Sequence, residues 1–319
     1  MKRFILKTVL VSVLTYFSGA AIAQEIQIES VKFTHPIIEK WVNEYKKAYP
    51  DTRLHVSPMG KQSDKEAISV FTNSLVDNNS IGATDGRGKK VVFVGRYALI
   101  PVSNEKNPLI SKVGKGIKKK DLVKLVFEKD VDDEDFYEED EAKAKYTATF
   151  YSRSGQSPTT LLLAGYFDRE PELIRGKKIV GDEIYLVEAL KKDETGLAFN
   201  TLNYVFDLAS RRLKPNLSVL PLNLKAEVRE ALLSHNIDKT IEALEGTKVD
   251  AIPVENIGLA IPDALANEPD VLRFAGWVLE KGQQYNHELG FLTLDAGTLA
   301  SQQKKLKSEL LTFVASAEK

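Results

Sequence analysis

The stretch at residues 146–167 constrains the fold more than any other part of the chain. It reads Y-T-A-T-F-Y, then S-R-S-G-Q-S, then P-T-T-L-L-L-A-G-Y-F. The first run is β-branched and aromatic and predicts a strand. The last predicts a helix, with Ser157 as its cap and Pro158 in the first position, where a missing N–H costs nothing. Such a helix aims the N–H groups of Thr159 and Thr160, and the positive end of its dipole, at a point that favours an anion. Arg153, four residues before the cap, can close over that point with a two-pronged guanidinium. An ordinary capped helix beside a solvated arginine accounts for the same pattern.

Strand-like and helix-like segments alternate along the rest of the chain, which predicts an α/β architecture. Thr34 or His35 caps a helix with Pro36 in its first turn and Ile38, Trp41, Val42, Tyr45 and Tyr49 on one face. A strand is expected at 53–56, then an amphipathic helix with Ala67, Val70, Phe71 and Leu75 inward. A long strand follows at 91–100, its irregular end marked by Pro101 and Asn107-Pro108, and then a helix at 119–127. Beyond the central motif come a strand at 177–180, a helix capped by Asp182, and strands at 195–199 and 217–220. Helices at 227–233 and 237–244 precede two strand segments at 250–254 and 258–261. Val271, Leu272, Phe274, Ala275, Val278 and Leu279 make a helical face, and Leu299, Leu306, Leu310 and Val314 a terminal one.

Residues 1–23 read as an export signal: Lys2, Arg3 and Lys7 precede an apolar run too short to span a bilayer, and Ala21-Ile22-Ala23 is a small-x-small cleavage pattern. Loss of those three basic residues lowers the basic count from 44 to 41 against 45 acidic residues, a net charge of −4. That balance gives no global attraction to nucleic acid, so any anion affinity is local. The chain has no cysteine, hence no disulfide, thiolate metal site or lipid-modified cysteine. An exported protein without a lipid anchor is expected to be held in a periplasm.

No catalytic constellation assembles. There is no G-x-S-x-G, H-E-x-x-H or dinucleotide fingerprint, and the four histidines (35, 55, 235 and 287) are scattered. The run A-T-D-G-R-G-K-K at 83–90 imitates a phosphate loop, but Lys90 stands where the magnesium-binding hydroxyl belongs and a strand follows instead of a helix. Nine carboxylates within residues 130–141 lack the glycine and terminal glutamate of a calcium loop and read as an acidic surface loop. The chain is expected to be a non-enzyme that needs no cofactor and no metal.

The order strand, R-x-x-x-S-x-T, helix resembles the anion loop of periplasmic phosphate-binding proteins of ABC importers, with Arg153, Ser157 and Thr159 matching and Pro158 in place of a glycine. The resemblance extends, in order more than in identity, from about residue 28 to 300. It includes F-T-H-P-I-I-E-K-W-V at 33–42, G-R-Y-A-L-I-P-V at 95–102 and F-A-G-W-V-L-E-K-G-Q at 274–283. It implies a type II periplasmic-binding-protein fold: lobe one at 24–101 and 249–319, lobe two at 102–248, each a mixed sheet flanked by helices. An anion, phosphate first, would sit between the lobes of a monomer that serves an ABC permease.

The implied ligand set is Arg153, Ser154, Ser157, Thr159 and Thr160 from lobe two, with Phe33, Lys61 and Asp85 from lobe one. Lys32 replaces a hydroxyl residue of the family, and Lys61 stands in place of a ligand-binding serine. Asp85, in I-G-A-T-D, resembles the residue whose carboxylate accepts a hydrogen bond from a protonated phosphate. The departures leave a second reading, a divergent envelope sensor or interaction protein whose anion site is retuned or lost; a phosphatase on the same fold is a third. If Asp85 imposes selection for a protonated oxyanion, Asp85→Asn admits sulfate in competition titrations, because the carboxylate no longer faces a second acceptor. Unchanged discrimination removes that role from Asp85.

Overall fold

The computed structural model describes residues 25–59, 67–72, 89–128 and 148–317. The export signal, Lys61, Asp85 and the acidic segment at 130–141 lie outside the described residues. In chain order the elements are β1 (Ile26–Ser30), α1 (His35–Ala48), β2 (Leu54–Pro58), β3 (Ile68–Thr72) and β4 (Lys89–Asn104). Then come α2 (Pro108–Lys112), α3 (Lys119–Val126), β5 (Thr149–Arg153), α4 (Pro158–Tyr166), β6 (Lys177–Ile179), α5 (Glu183–Lys192) and β7 (Gly196–Thr201). A short α6 (Leu202–Val205) and a hairpin of β8 (Phe206–Asp207) and β9 (Arg212–Leu213) lead to β10 (Leu217–Val219). The chain closes with α7 (Ala226–Leu233), α8 (Ile237–Gly246), β11 (Val254–Pro262), α9 (Pro269–Glu280) and α10 (Ala296–Ala317).

One nine-stranded mixed sheet runs β2-β1-β3-β11-β4-β7-β5-β6, with β10 also paired to β4. Its organising member is β4, sixteen residues long. Residues 89–98 of β4 pair antiparallel with β11. From Leu99 onward the same strand pairs with β7, and from Val102 with β10. At about 3.3 Å per residue it spans roughly 50 Å, so it crosses from one group of strands to the other without a break. The irregular end expected at Pro101 and Asn107-Pro108 falls between them, at Asn104, and Pro101 itself lies within the strand. Pro101 pairs with Phe199 of β7 and its carbonyl accepts from Leu220 N at 2.9 Å. Its donor-less nitrogen faces Leu220, just past the last residue of β10, so the missing N–H falls where that ladder stops.

Residues 68–72 also differ from the expectation of a helix: they form β3, between β1 and β11. Ile68, Val70 and Phe71 are all buried, and a strand covered on both faces reads as a run of apolar and β-branched residues that periodicity alone assigns to either element. The two segments expected at 250–254 and 258–261 are one strand, β11, with a register shift between Ile257 and Gly258. At Gly258 a Cβ would stand 2.4 Å from the Phe71 ring, so glycine is what lets these neighbours meet.

Two helices carry the larger share of the apolar filling on one side. Ile37, Ile38, Trp41, Val42 and Tyr45 of α1 are buried, and Tyr45 meets Phe274 of α9 edge-on at 5.3 Å. The Trp41 indole donates to Gly282 O at 2.9 Å, so its one polar atom is satisfied. Tyr49, expected inward, is the C-cap of α1 and 42% exposed, its ring resting on Tyr45. The expected helical face on α9 is buried as a set.

Glu245 near the end of α8 ties the 287–294 turn to that helix, accepting from Thr293 N at 2.6 Å, Thr293 Oγ1 at 2.8 Å and His287 Nε2 at 3.0 Å. The hydrogen bond to Glu245 holds the His287 imidazole above its usual range. Burial pushes Glu245 up, yet its bonds from His287 and Thr293 hold it below the usual carboxylate range. His287 therefore contributes stability below its ordinary value near 6.5 that is lost as pH rises through its raised folded value. Glu245 contributes above about 4.5, and that is lost as pH falls through its lowered folded value. Urea denaturation across pH 5–9 is expected to show a decline above pH 6.5 that His287→Gln removes. The effect is below about 1 kcal/mol, since His287 is nearly half exposed and solvent screens the pair.

Candidate functional site

The parallel pair β5 and β6 builds the site, with Arg153 in register with Ile179. Each strand feeds a helix from its C-terminal end: β5 leads into α4 and β6 into α5, so two helix N-termini lie side by side where ligands of open α/β sheets bind. The loop before α4 turns at Gly155, whose φ of +72° is left-handed. Ser154 N donates to Ile179 O at 2.9 Å, fixing the loop to β6. Pro158 is in the first turn of α4, and Ser157 Oγ accepts from Thr160 N at 3.2 Å, a side-chain cap as the sequence predicts. Ser157 Oγ also bonds the hydroxyls of Thr159 at 3.0 Å and Thr160 at 2.7 Å. The expectation that Thr160 N points outward fails for this reason: the cap itself takes it.

The group that meets Arg153 and Thr159 is a carboxylate of the chain, Glu183, the first residue of α5. Arg153 Nη1 donates to Glu183 Oε2 at 2.8 Å, and Thr159 Oγ1 donates to Glu183 Oε1 at 3.1 Å. Glu183 is 3% exposed, and its carbonyl accepts from Asn200 Nδ2 at 3.0 Å. Burial pushes this carboxyl up from the usual range, with the Arg153 guanidinium opposing. Arg153 Nε is buried and finds no acceptor among the described residues, so the guanidinium is held at one point and not by two prongs.

Asp182 makes no side-chain cap on α5, contrary to expectation. Its carboxylate instead lies 3.5 Å from Lys32 Nζ, which reaches over from the turn after β1. Burial pushes Asp182 up, but the Tyr204 hydroxyl, groups of Glu183 and the Lys32 charge bring it below the usual range. Burial and the neighbouring Asp182 push the Tyr204 phenol well up.

Phe33 stands beside this group through its backbone: its carbonyl accepts from Asn203 Nδ2 at 3.0 Å. Its ring is 2% exposed and packs on Tyr97 at 4.8 Å, so it is core. Arg153, Ser154, Ser157, Thr159 and Thr160 are thus clustered, with Phe33 and Lys32 at the margin. Sequence reasoning did not single out Glu183. The signal was G-D-E opening a helix thirty residues after Arg153, meaningful only once β5 and β6 are known to pair in parallel. A cavity of about 690 Å3 lies elsewhere, on the flank of α4 between Leu162, Tyr166, Arg96 and Glu255. Among the described residues no group of three or more His, Cys, Asp or Glu side chains could hold a metal, and no helix is long and apolar enough to cross a membrane.

No family model matches the sequence, and no curated protein matches it. Solved structures do match the fold. An ABC-type phosphate transport receptor from Vibrio cholerae aligns over 85% of this chain and 100% of its own, with a TM-score of 0.54 at 12% identity. A phosphate ABC transporter substrate-binding protein with bound phosphate from Clostridium perfringens aligns over 85% and 100%, with a TM-score of 0.53 at 13% identity. The chain therefore has the mixed α/β fold of the two-lobed periplasmic binding proteins.

Arg153→Ala leaves a carboxylate of 3% exposure without its cation and is expected to cost about 3 kcal/mol in urea unfolding. The double variant with Glu183→Gln recovers most of that loss, since the uncompensated charge is gone. Simple additivity of the two single effects rules out the pair as a coupled unit.

Proposed function

We propose that the chain is a two-lobed solute-binding protein that captures an oxyanion, phosphate first, and delivers it to an ABC permease. The observation that carries this reading is the convergence of Arg153, Ser157 and Thr159 at two adjacent helix N-termini. Backbone dipoles and a guanidinium there favour negative charge. The lobes are residues 24–101 with 249–319, and 102–248, with export after Ala23 to a periplasm. On that division, Lys32 with Asp182 and Asn203 with Phe33 are contacts between lobes. Closure over a ligand then presents a surface that the permease distinguishes from the open form.

A second reading has its own observation. Glu183 neutralises Arg153 internally, which suits an envelope sensor or interaction protein with a retuned anion site.

Calorimetric titration of the mature protein with phosphate, and in parallel with sulfate, separates the two. The importer reading expects phosphate binding that Arg153→Ala weakens by about 2–5 kcal/mol, as for truncating one partner of a buried charge pair. An effect under tenfold moves the site away from Arg153, and silence towards both anions favours the second reading.

A further inference from the structure

Glu183, which opens α5, holds two of the donors an oxyanion would use. Glu183 lies on Arg153 Nη1 and Thr159 Oγ1, at the positive ends of two helices, and is almost fully shielded from water. Next to it Asp182 meets Lys32 from the opposite side. A negative group arriving at Arg153 therefore meets a carboxylate in possession, and two anions cannot share one guanidinium corner and one hydroxyl without mutual repulsion.

We propose that Glu183 is a tethered competitor for the oxyanion, setting which anions bind by how readily they displace its carboxylate from Arg153 and Thr159. The inference rests on the oxyanion reading of the site.

The geometry orders the competitors. Glu183 grips the guanidinium through Nη1 alone, while Nε finds no acceptor among the described residues. A tetrahedral oxyanion offers three or four acceptor oxygens and so can accept from Arg153 and Thr159 at once with oxygens to spare. A lone carboxylate offers no more than Glu183 already supplies, and lacks its tether, which gives the internal group a high effective concentration. The site thus rejects monocarboxylates and admits multiply charged tetrahedral anions. Asp182 and Lys32 add a second internal pair at the same place, so part of the charge matching across the site is met by the chain's own groups.

The test is titration of the full mature chain and its Glu183→Gln variant with inorganic phosphate, sulfate and acetate. Glu183→Gln keeps the side-chain volume and its Thr159 contact while removing the charge. It is expected to bind phosphate at least tenfold more tightly than the parent chain. Unchanged or weaker phosphate binding in the variant overturns the competitor role, and if the parent binds phosphate in that case the importer reading stands. Phosphate binding by the variant alone supports the competitor role and places the parent chain with the retuned proteins. No binding by either protein overturns both. Should Glu183→Gln fail to fold, Glu183→Ala opens a space in which formate or acetate replaces the lost carboxylate. Millimolar formate is then expected to raise the melting temperature of Glu183→Ala and leave the parent unmoved. Equal shifts in both proteins overturn the proposal.

Discussion

The architecture depends on one strand that is longer than any single group of partners requires. β4 is covered by β11 along its first ten residues and by β7 and β10 along the remainder. The strands on either side are thus attached to a common rod. The partners of this strand change near Ala98 and Leu99. Proline just beyond this change is tolerated because its nitrogen faces Leu220, where the β10 ladder stops. The same stretch is bracketed by tethers that do not involve strands. Arg211 Nη1 and Nη2 donate to the carbonyls of Glu288 and His287 at 3.0 and 2.8 Å, and Glu245 grips Thr293.

The site inherits its position from the sheet. Because β5 and β6 are parallel and adjacent, the helices that follow begin side by side, with the positive ends of their dipoles at one place. Something negative belongs there on electrostatic grounds alone. The chain satisfies the demand with Glu183, which serves its own helix dipole and Arg153 at once. Burial of that ion pair is not a gain in stability by itself, since desolvating both charges offsets much of their attraction. It makes the neighbourhood expensive to leave half-paired, and so conformationally definite.

Much of the fold was legible because periodicity and end signals agreed. Ser157-Pro158 gave the start of α4, and the apolar face of α9 was read residue by residue. The failures share a cause. Ile68 to Thr72 lies inside the sheet with neighbours on both faces, where the pattern that separates helix from strand disappears. Tyr49 continued the α1 face in spacing, but the helix ended first. At the site, a one-dimensional motif located Arg153, Ser157 and Thr159 and had no means of locating Glu183. That contact is set by strand order, and strand order is a property of long-range pairing that local propensity does not carry. Lys32 and Asp182, 150 residues apart, were visible only as a lost hydroxyl and an expected cap.

The internal carboxylate also changes how resemblance to anion-binding proteins is to be weighed. A motif of donors specifies that negative charge is stabilised; it does not specify whose charge. Donors filled from within and donors filled by a solute give the same R-x-x-x-S-x-T, because both require the same arginine, cap and threonine hydroxyl. What separates them is a free-energy difference between a tethered monovalent acceptor and a free multivalent one, and single kcal/mol terms decide such a difference. The charge of the residue that opens α5 can therefore change which of the two fills the donors, with strand order, helix caps and Arg153 all unchanged.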